Sequence, residues 1–168
     1  MSSFLAPVLM AGICGAALGL EREMKRKPAG LRTNMLIAVG SASFMWLSRA
    51  LAAEGGDPGR IAAQIVTGIG FLGAGAIVRH GKDTVTGLTT AATVWMVAAV
   101  GMLCGSGHYG QALMGTLIAL ALLVGSGRVE DRLHTRLSRE TEDPSFSPAP
   151  ARARSSCSKS DPATTQGS

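Results

Sequence analysis

Long apolar runs, uncharged except for Arg49 in the second, alternate with short polar or charged segments over the first 127 residues of the chain. The runs are residues 4–20, 34–53, 61–78, about 85–104 and 109–124. In a helix, at about 1.5 Å per residue, most of them come close to the roughly 30 Å hydrocarbon core of a bilayer. The pattern therefore predicts an all-α membrane protein, a compact bundle of five transmembrane helices.

The distribution of Lys and Arg predicts the orientation of these helices. The first loop, the turn at residues 79–82 and the region after the fifth span are basic, whereas the other two loops contribute only Arg60. Because basic loops remain on the cytoplasmic side, the N-terminus is expected outside and the C-terminus inside. The third span is expected to begin at Asp57-Pro58, an N-cap residue followed by proline.

Glycines are concentrated in the third span and recur in the first. Small residues let helix backbones approach closely in a bilayer, which predicts packing positions at Gly15, Gly19, Gly68, Gly70, Gly73 and Gly75. Two alternatives concern the run in the third span. It also fits the G-x-G-x-x-G dinucleotide fingerprint, but no strand or suitably spaced acid accompanies it. It could instead flank an unwound segment that lines a polar cavity.

Composition excludes several classes of protein. Of the 168 residues, 46% are hydrophobic and only 16% charged, which is too apolar for an ordinary soluble domain. The net charge of +5 is explained by topology, and with 4% aromatic residues the chain has no stacking surface for nucleic acid. No Ser-His-Asp set, Cys-His set or metal-ligand cluster is present, so we expect no enzyme activity, no cofactor and no metal site.

Polar residues within or beside the spans are the functional candidates. Glu21 and Glu23 could offer oxygen ligands to a hard cation such as Mg²⁺, or could pair with their basic neighbours. Gln64 lies one turn from Arg60 on the third span and forms a polar strip with it. Thr89, Thr90 and Thr93 form a hydroxyl stripe on the fourth span, suited to hydrogen bonds between helices or to a hydrated path.

The region after the fifth span is polar. Apolar residues recur every four positions within residues 128–141, which predicts a short amphipathic helix on the inner membrane surface. Residues 142–168 are rich in Ser, Pro, Ala, Thr and Arg and are expected to be a disordered tail. The predicted organisation is thus a transmembrane domain at 1–127, an interfacial helix and a tail.

Three long blocks resemble a known family. The segments GLEREMKRKPAGLRTNML, DPGRIAAQIVTGIGFLGAGAIVR and GLTTAATVWMVAAVGM are similar to the signature blocks of the MgtC/SapB family of bacterial inner-membrane proteins. Matched by motif, the resemblance implies functional positions at Glu21, Arg22, Glu23, Arg32, Asn34, Asp57, Arg60, Gln64, Thr89, Thr90 and Thr93, together with the glycines of the third span.

The resemblance also implies a multi-pass protein of the bacterial inner membrane. Some members of the family are associated with adaptation to low Mg²⁺ and with survival inside host cells. Members of the family are described as modulating the proton-driven ATP synthase. Longer members continue into a folded soluble domain, and we expect any ligand sensing by that domain not to apply to this chain.

Two functional hypotheses follow. In the first, the protein is non-enzymatic and acts in Mg²⁺ or membrane-energy homeostasis by binding a membrane partner, with ATP synthase as one candidate, or by forming a homo-oligomer in the bilayer. In the second, it is a transporter or channel for Mg²⁺ or another cation, with Glu21, Glu23, Gln64 and the threonines along its path.

Overall fold

The computed structural model describes residues 2–80 and 84–141 of the chain. The chain divides into two compact units, Met1–Asp131 and Arg132–Ser168. Within the described residues the first unit contains four complete helices, a two-stranded hairpin and most of a fifth helix. The predicted disordered tail at 142–168 lies outside the described residues.

Five helices follow one another along the chain, as the hydrophobic pattern predicts. They are α1 at Ser2–Met24, α2 at Leu31–Ala52, α3 at Pro58–Ala76, α4 at Leu88–Gly105 and α5 at Tyr109–Thr141. Residues 128–141, predicted as a separate interfacial helix, form the last part of α5. The start of α3 is confirmed, because Oδ1 of Asp57 accepts a hydrogen bond from the Gly59 amide at 2.8 Å and Pro58 occupies the first turn.

The segment between α3 and α4 differs from the sequence prediction. Strands β1 (Val78–His80) and β2 (Thr84–Thr86) pair in antiparallel register, with Arg79 opposite Val85. The hydrophobic pattern had placed Val78 in the third span, and Val85 and Thr86 in the fourth. Short apolar runs do not distinguish a helix end from a strand, and Val78 and Val85 are β-branched residues that suit a strand.

The length and composition of the described helices qualify three of them as membrane spans. They are Ser3–Met24 within α1, α2, and α4, while the apolar part of α5, Tyr109–Gly125, is shorter. α3 has 19 residues, includes Arg60 and Gln64, and is not among these three. The chain is a helical membrane protein, and the count of five spans with an outer N-terminus stays a prediction.

Two apolar cores hold the helices together. The larger one joins α1, α2, α4 and α5 through small side chains that include Cys14, Ala38, Ala42 and Cys104. The smaller one joins α3 to α4 through Ile65, Ile69, Val94 and Ala98. α2 and α4 therefore form the centre of the bundle, and α3 packs at its edge.

Close contact between α2 and its neighbours depends on glycine. A Cβ added at Gly15 of α1 would lie 2.8 Å from both the Cβ of Ala38 and the carbonyl oxygen of Asn34. A Cβ at Gly19 would lie 2.7 Å from the Cα of Leu31. These distances are shorter than real Cβ contacts, so the predicted packing role of Gly15 and Gly19 has a structural counterpart within the chain itself.

The glycines of the third span have a different environment. A Cβ added at Gly68, Gly70 or Gly75 would meet no heavy atom within 4 Å among the described residues, and one at Gly73 would make an ordinary contact of 3.7 Å with Ala91. The bundle does not use these four positions for close helix contact. α3 packs against α4 through Ile65 and Ile69 instead.

Candidate functional site

Polar side chains meet at the end of the bundle that holds the turn between α1 and α2. We call this group the polar cluster and define it as Glu21, Arg22, Glu23, Lys25, Asn34 and Thr90. Its members come from the last turn of α1, the turn that follows it, the first turn of α2 and the first turn of α4. The first and third signature blocks of the sequence meet here, although 68 residues separate Arg22 from Thr90.

Arg22 is the charged residue at the centre of the polar cluster. Its side chain is 4% exposed, and its Nη2 donates a hydrogen bond of 2.7 Å to Oγ1 of Thr90, which is also buried. A buried guanidinium is costly unless its donors are paired, so this bond fixes the end of α1 against the start of α4. The Nε of Arg22 has no hydrogen-bond partner among the described residues.

The two carboxylates of the first block have separate partners. Oε1 of Glu21 lies 2.7 Å from Nζ of Lys25 as a charge pair, and both oxygens of Glu21 are buried without a well-aligned hydrogen bond from a described residue. Lys25 also donates to the carbonyl oxygen of Leu123 at 3.0 Å, which connects α1 to α5. Of the two roles that the sequence left open for Glu21, binding a cation or pairing with a basic neighbour, the structure has the second.

Glu23 caps the next helix rather than its own. Its Oε2 accepts a hydrogen bond of 3.1 Å from the amide of Leu31, the first residue of α2, whose N-cap residue Gly30 has no side chain to do so. A carboxylate at a helix N-terminus is stabilised by the free amides and by the helix dipole. A Cβ at Gly30 would fall on this carboxylate, so Gly30 leaves the space that Glu23 occupies.

Asn34 holds the same turn from the other side. Its Nδ2 donates to the carbonyl oxygens of Ala29 and Gly30, at 2.5 and 2.8 Å, and its side chain is fully buried. Ala29 has a positive φ of 55°, a conformation that L-residues rarely adopt. Oδ1 of Asn34 has no partner among the described residues. The turn between α1 and α2 is thus fixed by side chains of the first signature block, and within the described part of the chain Oδ1 of Asn34 is left as an unpaired acceptor beside it.

The other predicted site residues lie elsewhere. Thr93 donates to the carbonyl of Thr89 within α4 at 2.8 Å, and the Thr89 side chain is exposed, so only Thr90 of the stripe bonds to another helix. Arg32 is exposed on α2. Asp57 caps α3, and Arg60 and Gln64 line a groove between α2 and α3. The structure therefore does not bring the candidates into one site.

Three features of the bundle were not predicted. They are the burial of Arg22, the capping of α2 by Glu23, and a second pair of close-packed glycines, Gly101 and Gly105 of α4. A Cβ at Gly101 would meet the Ala38 carbonyl oxygen and lie 2.9 Å from the Cβ of Ser41. The G-x-x-x-G spacing of this pair was the available signal.

Comparison with known proteins decides the family. The model of the MgtC family matches residues 8–132, which is most of the chain and includes the whole polar cluster. The chain belongs to the MgtC family. This confirms the resemblance seen in the three signature blocks, and with it the assignment to a membrane-protein family linked by name to magnesium.

Named relatives share the same region. The "Protein MgtC" of Salmonella typhimurium strain LT2 is 49% identical over 120 residues, covering 71% of this chain and 51% of the relative. The "Putative magnesium transporter YhiD" of Escherichia coli strain K12 is 46% identical over 129 residues, covering 73% and 60%. The "Uncharacterized protein slr0014" of Synechocystis is 47% identical over 116 residues, covering 69% and 49%.

This MgtC-family chain spans only about half to three fifths of the length of these curated relatives. No solved structure matches it. The functions of the whole relatives are therefore not transferred as findings.

Proposed function

We propose that this MgtC-family chain is a multi-pass protein of the bacterial inner membrane that acts in Mg²⁺ and membrane-energy homeostasis by binding a membrane protein. It carries out no chemical reaction in this proposal and moves no ion. The first candidate partner is the proton-driven ATP synthase, on the basis of the family resemblance.

The observation that carries the proposal is the internal use of the carboxylates. Glu21 pairs with Lys25, and Glu23 caps α2. Among the described residues, no three His, Cys, Asp or Glu side chains are grouped so that they could hold a metal ion. A Mg²⁺ path would be expected to present oxygen ligands together with room for the waters that this ion retains. The described carboxylates favour a structural role in a binding protein.

A surface for such a partner is available on α3. Phe71 is 82% exposed, the highest value among the large hydrophobic side chains of the described residues. Gly70 and Gly75 leave the backbone beside it uncovered. Small residues flanking a large apolar side chain suit the close approach of another helix in a bilayer. Gly15 and Gly19 do not offer such a surface, because α2 already occupies both.

The test is co-reconstitution with a bacterial ATP synthase. Vesicles that contain both proteins should show slower ATP-driven proton pumping than vesicles with the synthase alone. Phe71→Ser should restore pumping, whereas Leu9→Ser should not, because Leu9 is 63% exposed on α1 and provides a matched loss of apolar surface. Unchanged pumping in the presence of the folded wild-type chain would reject the synthase as partner.

The alternative is a Mg²⁺ or other cation transporter. It is favoured by the name of the Escherichia coli relative. It is also supported by the buried atoms of Glu21, Arg22 and Asn34 that lack a hydrogen bond among the described residues, although Glu21 forms a charge pair with Lys25. A flux measurement distinguishes the two functions.

A further inference from the structure

A deep apolar groove runs along the outside of the bundle between α2 and α3. Its volume is about 840 Å³, within the range of roughly 300–1,000 Å³ that is usual for ligand-binding clefts. Most of its lining is aliphatic or aromatic, and polar side chains come only from Ser41, Arg60 and Gln64. Gly40 and Gly68 also line it, and a Cβ added at either would meet no atom within 4 Å.

The length of the groove limits what can occupy it. On α2 it extends from Leu36 to Leu47, and on α3 from Leu72 back to Arg60. At about 1.5 Å per residue these segments measure roughly 16 to 18 Å. One leaflet of a hydrocarbon core about 30 Å thick measures about 15 Å. The groove is therefore about as long as one acyl chain in one leaflet.

The charge at one end of the groove indicates the headgroup. α2 and α3 are consecutive helices joined by a short loop, so Arg60 lies at the end of the groove nearest the C-terminus of α2. Arg60 is exposed, and its guanidinium has no ion pair or hydrogen bond to another described residue. It stands in the first turn of α3, where the free amides of the helix also favour negative charge. A guanidinium in this position suits a phosphate, and the Gln64 amide one turn deeper can donate to ester oxygens.

We propose that the groove between α2 and α3 binds an anionic phospholipid, with one acyl chain along the groove and the phosphate on Arg60. This inference does not depend on the proposed binding of a protein partner. The length of the groove, its apolar lining and the charge of Arg60 together indicate that a lipid occupies it.

The test measures which lipids the full chain retains. The protein is equilibrated in mixed vesicles of equal phosphatidylglycerol and phosphatidylcholine, extracted in mild detergent, and analysed by native mass spectrometry. The wild type should retain one phospholipid with a preference of about tenfold for phosphatidylglycerol, because both lipids offer a phosphate to Arg60 but the choline ammonium of phosphatidylcholine repels it. Arg60→Gln should reduce this preference to near unity, whereas Arg49→Gln, a matched change near the end of α2 outside the groove lining, should leave it intact.

The apolar part of the site is tested separately. Gly68→Leu should abolish retention of the lipid by filling the groove, and Gly75→Leu, on the same helix but outside the lining, should not. Gly40→Leu provides the same test from α2 if Gly68→Leu does not fold. Equal retention of the two lipids by the wild type, an unchanged preference in Arg60→Gln, or a groove occupied by a second copy of the chain without lipid would overturn the proposal.

Discussion

The guanidinium Nη2 of Arg22 lies 2.7 Å from Oγ1 of Thr90, and both side chains are buried. Arg22 lies in the last turn of α1, and Thr90 is the third residue of α4. The bond is therefore a direct link between the first and third sequence blocks of the family. Within the hydroxyl stripe of α4, Thr90 thus bonds to another helix, whereas Thr93 bonds within its own helix.

Loss of the Thr90 hydroxyl should destabilise the bundle. Thr90→Val keeps the shape of the side chain but leaves a buried charged donor unpaired, which costs about 1.5–3 kcal/mol in free energy of unfolding. Thr89→Val, one residue earlier on an exposed position, should change it by less than about 0.5 kcal/mol. Equilibrium unfolding in mixed detergent micelles measures both. Equal effects of the two variants would show that the bond contributes nothing specific.

The capping of α2 by Glu23 predicts that stability falls in steps from the wild type to Glu23→Gln and then to Glu23→Ala. Glu23→Gln keeps an acceptor for the Leu31 amide but removes the charge, and Glu23→Ala removes both, with a loss of about 0.5–2 kcal/mol expected for the alanine variant. The same unfolding assay should rank wild type above Gln and Gln above Ala. If Glu23 were instead an ion ligand, Gln and Ala would have similar stability and the loss would appear only when cation is present.

Alanine substitutions of a glycine in α4 and of a glycine in α3 should change the stability of the protein in opposite directions. Gly101→Ala places a methyl group against the Ala38 carbonyl and should cost about 1–3 kcal/mol. Gly70→Ala meets no described atom and should stabilise its helix by up to about 1 kcal/mol, because alanine has the higher helix propensity. Thermal unfolding of the two variants provides the comparison. Destabilisation by Gly70→Ala in the isolated protein would contradict the exposed position of this residue.

Much of the fold could be predicted from the sequence because hydrophobic runs and turn residues act locally. The helices, the start of α3 at Asp57-Pro58 and the contact of Gly15 and Gly19 all follow from short patterns. The hairpin at Val78–His80 and Thr84–Thr86 could not be predicted, because its strands are too short to show an alternating pattern.

The candidate site was predicted as a list of residues but not as an arrangement. Arg22 looked like one basic residue of an inner loop, and its burial depends on how the end of α1 meets α4. The same reason applies to Glu23, whose partner belongs to the next helix. In the third span, glycine spacing indicated helix contact. Only Gly73 faces α4, whereas Gly68, Gly70 and Gly75 have no described neighbour, because α3 packs mainly through Ile65 and Ile69.

The most direct test of the proposed function is Mg²⁺ flux into proteoliposomes that contain the purified, folded chain. Glu21→Gln/Glu23→Gln protein and empty vesicles are the controls. If the carboxylates have structural roles and the protein acts through a partner, flux should not exceed that of empty vesicles for either form. Saturable Mg²⁺ flux that is present in the wild type and lost in the double variant would contradict this account and make the polar cluster part of an ion path.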